Sequence, residues 1–491
     1  TAEPVPGEGR RRASIENLTN MLTASPSALA ALSVVPEAAS GQEESRRGQL
    51  GRSLAQQAID AAYQASSAWG NSSIQHRSDI LDNIGSEILQ RREELGELVS
   101  REEGKTLPEG IGEATRAGQV FKFFAGEALR PGGEFIDSIR PGLDVSVTRA
   151  PMGVVGLILP WNFPIAIPAW KVAPALAYGN AVVFKPAELV PATAHAMAEI
   201  IVNAGVPDGV FNLVMGTGAE VGATIVNHPA VNAISFTGSV RTGRDVALAA
   251  ASRMAKVQLE MGGKNPLVVL DDADLSTAVE CAVNGAYFST GQRCTASSRL
   301  IVTEGIHDKF VAAVSERMGK LTVDHALKAG TDIGPVVDQR QLQQNLDYIQ
   351  VGINDGANLV CGGEQVSRDT QGFFMTPALF TESSNKMRIN REEVFGPVAT
   401  VIRVKDYEEA LATANDTEFG LSSGIVTTSL KYSSHFKRHI QSGVASVNVP
   451  TAGVDYHVPF GGIKSSSYGS REQGSYAKEF YTTVKTAYTL P

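Results

Sequence analysis

Between residues 154 and 252 the chain repeats one pattern, a short apolar run, a polar or glycine-containing break, and a stretch with helical spacing. VVGLILP (154–160), AVVFKPAE (181–188), FNLVMG (211–216) and AISFTGS (233–239) are the apolar runs. Between and after them lie a helical stretch from Pro191 to Ala204, another near Val221 and a third starting near Thr242. Alternation of short apolar strands with helices predicts a doubly wound parallel α/β sheet. Ligands of such sheets bind at the carboxyl ends of the strands.

A second α/β run begins near Asn265 with PLVVLDDADL, includes RLIVTEGIHDKFVAAVSERM (299–318) and ANLVCGG (357–363), and continues to about Val447. It is long enough to be a separate domain. From Leu54 to about Gly126 apolar residues three or four apart predict long surface helices, over 54–69 and 78–104 among others. Two alternating runs around Arg140-Pro141-Gly142 predict a ribbon that leads into the first buried strand. KEFYTTVKTAYTLP (478–491), rich in β-branched and aromatic residues, reads as a terminal strand.

A net charge of −9 on 491 residues argues against nucleic acid or an anionic membrane as the main partner, and favours a small molecule. No apolar run approaches the 18 or so residues that span a bilayer. Arg10, Arg11 and Arg12 ahead of the apolar 27–35 loosely suggest a targeting signal, but Pro36 and the acidic residues after it favour a leader followed by an ordinary buried segment. Three cysteines far apart in sequence suit a reducing, cytoplasmic setting.

One of them, Cys294, sits in GQRCTASSR (291–299), a polar stretch where a packing cysteine would have apolar neighbours. Five further stretches join a strand end to residues suited to chemistry: PWNFP (160–164), FKPAE (184–188), FTGSVRTG (236–243), LEMGGKNP (259–266) and EEVFGP (392–397). Singly, most have a plain explanation. Gly238 and Gly243 could serve only a tight turn, and Gly216-Thr217-Gly218 with Gly222 is not a dinucleotide fingerprint.

Together and in order, with PFGGIK (459–464) and with Glu260 lying 34 residues before Cys294, these stretches closely resemble the aldehyde dehydrogenase superfamily from about Leu54 to the C-terminus. The resemblance implies a Rossmann-like cofactor domain (1–133 and 153–259, with 448–474 returning to it and 1–50 atypical) and a catalytic domain (260–447). It also implies a small β oligomerisation element (134–152 and 475–491) that makes the protein a homodimer or homotetramer.

By the same resemblance Cys294 is the nucleophile, and Asn162 with the Cys294 backbone N–H holds the oxyanion. Glu260 activates the hydrolytic water, and Glu472 relays protons with Lys171. Family members that pass the acyl group to coenzyme A generally lack this base, so water is the expected acceptor. Lys185 and Glu188 match residues on the adenosine ribose, where a carboxylate would repel a 2'-phosphate, so NAD is preferred and NADP is possible. Ser239, with Gly238 and Gly243, would meet the pyrophosphate at a helix start, Trp161 would contribute at that end, and Glu393 and Phe395 would hold the nicotinamide ribose. Phe163, Trp170, Phe288, Arg293, Thr295, Val454 and Phe460 would surround the aldehyde tunnel. Arg293 is the exception within that group, since a residue adjacent to the nucleophile more readily points away and supports the loop.

The GQRCTASSR loop and the run SSYGSREQGSYAKEFYTTVKTAY look most like the branch that oxidises 2-oxoglutarate semialdehyde (2,5-dioxopentanoate). A broad aliphatic or aromatic aldehyde dehydrogenase is the alternative. A cysteine-dependent hydrolase would not need FKPAE and EEVFGP, and a catalytically silent relative would have lost Cys294 or Glu260. His435 and His439 have a spacing that could chelate a metal, but Lys437 and Arg438 intervene and the chemistry needs none, so no metal site is expected.

Overall fold

The computed structural model describes residues 29–30, 41–130 and 132–491. The basic leader of residues 10–12 lies outside the described residues, as does the apolar 27–35 apart from Leu29–Ala30. Those two residues pair in parallel with Leu213–Val214, an edge strand that the sequence does not announce.

The first sheet has seven strands in the order Leu29–Ala30, Phe211–Val214, Ala181–Lys185, Val154–Ile158, Ala233–Thr237, Lys256–Glu260 and Ser467–Tyr468. Every neighbouring pair is parallel except the last. The chain moves outward on one side of Val154–Ile158 and then returns to begin Ala233–Thr237 on the other, so the topological switch point lies between these two strands. Val155 and Leu157 pack into one core and Val154 and Ile158 into another, which is why the strands read as unbroken apolar runs.

The second sheet runs Asn358–Cys361, Ala378–Thr381, Val398–Val404, Ser297–Thr303, Asn265–Val269, Ser422–Val426 and Val444–Val447, parallel throughout except for its first pair. It too is covered on both faces, Leu267 and Leu300 lying on one side and Val268 and Ile301 on the other. A third, antiparallel sheet joins Thr482–Thr489, Asp144–Pro151 and Gly133–Asp137. The terminal strand is shorter than its composition suggests, because Lys478–Tyr481 close a helical turn whose Phe480 and Tyr481 are buried in the core.

The helices before the first sheet also differ from expectation. The run over 78–104 divides into Ile74–Gln90 and Arg92–Glu103 at Arg91, whose guanidinium bridges Glu87 and Glu94 across the break. The following helix, Leu107–Ala128, is not a surface helix: Ala117, Val120, Phe121 and Phe124 are fully buried. The Glu109 carboxylate caps its start by accepting from the Thr106 backbone N–H (3.0 Å) and hydroxyl (2.9 Å). Through Glu109 this helix meets the loop of residues 289–293. No helix among the described residues is long and apolar enough to cross a membrane.

Candidate active site

The helix Leu275–Tyr287 stops at a loop in which Ser289, Thr290 and Gly291 all take positive φ, a tight reversal held by Glu109, which accepts from the Ser289 N–H at 2.7 Å. Cys294 follows, just before the strand Ser297–Thr303. Its carbonyl accepts from the Asn265 side-chain amide at 2.8 Å, and the same Nδ2 reaches the Ala296 carbonyl at 2.9 Å. The Asn265 Oδ1 in turn accepts from the Ser422 N–H at 3.0 Å, so the loop is pinned to two strands of the second sheet. Burial pushes the Cys294 thiol up to about 12, with the charges of Glu393 and Glu260 adding to the rise. Its own backbone N–H, turned toward the sulfur, acts the other way.

Asn162 projects from the turn after the strand Val154–Ile158 and is buried. Its Nδ2 donates to the Gln292 carbonyl at 3.0 Å, which carries the amide to within two residues of Cys294 and leaves it one further hydrogen to offer. The Asn162 carbonyl accepts from the Lys105 ammonium at 2.7 Å, and that ammonium also reaches Glu113 at 2.6 Å. Lys105, Glu103, Glu113 and Gln292 escape the motif reading. An acidic pair and a lysine around a helix end, as in REEGKT (101–106), ordinarily mean only a solvated terminus, whereas here all four side chains are buried.

Glu260 ends the strand Lys256–Glu260, where Ser467 pairs with it across the sheet and donates its hydroxyl to Oε2 at 2.5 Å. Burial holds the Glu260 carboxyl well above the usual carboxylate range, the neighbouring Glu472 raises it further, and Ser467, Lys171 and Arg471 oppose both. Glu472 is ion-paired to Lys171, and the Lys171 ammonium also donates to Ser235 at 2.7 Å. The Glu472 Oε2 is buried without a hydrogen-bond partner among the described residues. Glu260, Glu472 and Lys171 are therefore one electrostatic unit, a geometry that can accept a proton and pass it on.

Cofactor candidates follow the ends of the strands Ala181–Lys185 and Ala233–Thr237. Lys185 donates to Glu188 at 3.0 Å, and Glu188 stays exposed. Ser239 caps the helix Val240–Ser252, its oxygen accepting from the Thr242 N–H at 3.3 Å, and it is exposed. Gly238 and Gly243 are not left-handed turn residues, since neither has positive φ. A Cβ on Gly243 would lie 2.4 Å from the Met261 sulfur, and one on Gly238 would lie 2.6 Å from the Phe236 ring, so a larger residue at either would displace that side chain. An exposed carboxylate, a helix N-terminus with free N–H groups and a close-packed glycine turn fit an adenine dinucleotide. Glu393 turns inward, accepting from the Gly263 N–H at 2.9 Å, and burial pushes its carboxyl up to about 7. Phe395 holds φ at +59° and sets its ring edge-on to Trp161 at 5.4 Å.

Among the tunnel candidates, Trp170 and Phe460 pack ring to ring at 5.5 Å, and Phe163 lies under the Lys105 ammonium at 3.8 Å. Thr295 is buried and its carbonyl accepts from the Thr451 hydroxyl at 2.7 Å, while Phe288 and Val454 are half-buried. Arg293 is turned from the group: it donates to the Asn284 carbonyl (3.4 Å) and pairs with Glu109 (3.3 Å), so it braces the loop. Arg116 was not foreseen. It lies one turn after Glu113, half-buried, makes no hydrogen bond among the described residues, and has Asp455 as its opposite charge. Phe123, two turns along the same helix, packs edge-on to Tyr456, so this face meets the loop that carries Val454 and Phe460. His435 and His439 belong to none of this; their rings stack at 3.8 Å and the His435 Nδ1 is engaged by the Tyr407 hydroxyl.

A doubly wound sheet whose strand ends carry features that fit a dinucleotide, beside a half-buried thiol and a buried carboxylate, is the arrangement of a thiol-dependent oxidoreductase. The Aldehyde dehydrogenase family model matches residues 32–487, and the chain belongs to that family. It is 44% identical over 438 residues to the alpha-ketoglutaric semialdehyde dehydrogenase of Bacillus subtilis, covering 89% of this chain and 90% of that one. It is likewise 44% identical to the alpha-ketoglutarate semialdehyde dehydrogenase of Haloferax volcanii, with 88% and 90% covered. Among solved structures, the betaine aldehyde dehydrogenase of Staphylococcus aureus in complex with NAD+ superposes with a TM-score of 0.87 at 36% identity, over 89% of this chain and 88% of that one.

The electrostatics carry a testable consequence. Because Glu393 is ionised above about pH 7 and raises the Cys294 thiol, Glu393→Gln should speed iodoacetamide alkylation of the cofactor-free enzyme at pH 8 by roughly three- to tenfold. In the parent the rate should climb steadily from pH 7 to 10. A plateau near the ordinary thiol value, about 8.5, would contradict the raised thiol.

Proposed function

We propose that this aldehyde dehydrogenase oxidises a carboxylate-bearing semialdehyde, of the 2-oxoglutarate semialdehyde kind, to the acid with NAD. The single observation behind the chemistry is the convergence of Cys294, Asn162 and Glu260 at the junction of the two sheets. The Cys294 thiolate adds to the aldehyde carbon, and the carbonyl electrons move onto oxygen. The free N–H of the Asn162 amide and the backbone N–H of Cys294 receive that oxyanion. The bound nicotinamide supplies the hydride acceptor that takes the aldehyde to the thioester level. Glu260, held basic by its surroundings, then draws a proton from water as the oxygen attacks the thioester, and the C–S bond breaks to release acid and thiolate. Glu472 and Lys171 take that proton onward.

Glu188 and Lys185 bind the adenosine ribose in this reading, and the negative charge of Glu188 favours NAD over NADP. Ser239 meets the pyrophosphate at the helix start, with Trp161 at that end, and Glu393 and Phe395 hold the nicotinamide ribose. The substrate assignment rests on the two semialdehyde-oxidising relatives and on Arg116, a half-buried cation that makes no hydrogen bond among the described residues and could exchange its distant partner Asp455 for a substrate carboxylate. The exposed apolar residues of the third sheet, Phe135 (73%), Val484 (56%) and Tyr488 (61%), support a dimer or tetramer assembled through it. Three unpaired cysteines suit a cytoplasmic enzyme.

An assay following NADH absorbance should give kcat/KM for 2-oxoglutarate semialdehyde well above those for propanal and benzaldehyde, and a preference for benzaldehyde would overturn the assignment. Arg116→Met should raise KM for the semialdehyde about 10- to 100-fold, the worth of one charged hydrogen bond, while changing that for propanal less than about threefold. Light scattering should give the mass of a dimer or tetramer, and Phe135→Glu with Tyr488→Glu should shift it toward the monomer.

A further inference from the structure

We propose that Lys105, with Glu103 and Glu113, is a positioning device for the oxyanion donor Asn162; this rests on the role given to Asn162 above. The three charged side chains are almost wholly buried at the end of the helix Arg92–Glu103 and the start of the next. Burying one ammonium and two carboxylates is costly, and a hydrophobic replacement would ordinarily be as stable or more so. Burial, followed by the charge of Glu113, pushes the Glu103 carboxyl up to about 7, against the pull of Lys105. A set of groups so unfavourable to bury is accounted for by what its hydrogen bonds do.

Those bonds form a closed ring through three segments remote in sequence. The Lys105 ammonium donates to the Asn162 carbonyl (2.7 Å), and the Asn162 amide donates to the Gln292 carbonyl (3.0 Å). The Gln292 side chain donates to Glu103 (3.2 Å), and Glu103 accepts from the Lys105 backbone N–H (2.9 Å). Glu113 adds a brace: one oxygen takes the Lys105 ammonium (2.6 Å) and the other accepts from Ile165 (2.9 Å) and Ala166 (3.0 Å), the backbone that follows Asn162.

A carboxamide is planar. Once one Nδ2–H of Asn162 is committed to the Gln292 carbonyl, the second points in a fixed direction within that plane, and the carbonyl partner also decides which end of the amide is nitrogen. The ring holds both ends of this arrangement, the main chain of Asn162 through Lys105 and the main chain of the nucleophile loop through Gln292 and Glu103. Preorganisation of this kind is what gives an oxyanion donor its worth, which is about 100- to 1,000-fold in rate for one donor. Lys105 touches no reacting atom; it acts through Asn162.

The test is a double-mutant cycle read by stopped flow, using the NAD-loaded enzyme and propanal, with first-turnover NADH formation as the signal. Asn162→Ala alone should slow that step about 100-fold; if it does not, the oxyanion reading itself fails. Lys105→Met should slow it about 30-fold or more in the parent but less than about threefold in the Asn162→Ala background, with the rate of Cys294 alkylation unchanged in both. Equal losses in the two backgrounds, or a fall in alkylation matching the fall in turnover, would overturn the proposal and leave Lys105 a structural ion pair. Should thermal melts show Lys105→Met to be unfolded, Glu103→Gln serves in the same cycle, with a loss of about fivefold expected in the parent and none beyond Asn162→Ala. A loss retained in both backgrounds would again be fatal to it.

Discussion

The candidate site depends on how closely the backbone at Gly262 and Gly263 can lie against the Glu393 carboxylate and the Cys294 carbonyl. The strand Lys256–Glu260 belongs to the first sheet and Asn265–Val269 to the second, so the chain crosses between the two sheets over residues 261–264. A Cβ on Gly262 would lie 2.1 Å from a Glu393 oxygen, and one on Gly263 would lie 2.8 Å from the Cys294 carbonyl. With any larger residue there, Glu393 or the Cys294 loop would have to move. The crossing sets Glu260 before it, Asn265 after it, and the Cys294 loop against its side.

Around that crossing the structure concentrates negative charge away from water. Glu260, Glu393 and Glu103 are all raised by burial, and Cys294 is raised with two of them beside it. In the proposed mechanism this environment makes Glu260 a better base for water than an ordinary carboxylate, and it holds down the reactivity of the Cys294 thiol. The same burial demands that each charged group be tied down, and Lys105, Lys171 and Ser467 meet that demand.

The parallel sheets were legible because their strands are covered on both faces, and such strands cannot hide in an alternating pattern. The candidate site was legible because its residues stand at strand ends and loop reversals, where Pro, Gly and polar residues interrupt apolar runs, as in PWNFP and LEMGGK. The break at Arg91 was not, because the residue continues the helical spacing and its two glutamate partners look like ordinary surface pairs. The first turn at Lys478–Tyr481 was hidden by residues that favour strands, and tertiary burial of Phe480 and Tyr481 overrode that preference. Lys105, Glu103, Glu113 and Gln292 escaped for a different reason. Nothing in a sequence distinguishes a buried charge from a solvated one until the elements that bury it are in place. Arg293 is a different case: its adjacency to Cys294 already argued that it points away and supports the loop, but its partner Glu109, on a helix remote in sequence, could not be read from the motif.

The proposed reaction passes through a covalent intermediate at Cys294 that Glu260 is needed to release. The most direct measurement is the mass of Glu260→Gln after mixing with NAD and propanal, with NADH counted in the same sample. The predicted result is a single equivalent of NADH and an acyl group carried by the peptide containing Cys294. Continued NADH formation at the parental rate with an unmodified Cys294 peptide would contradict it.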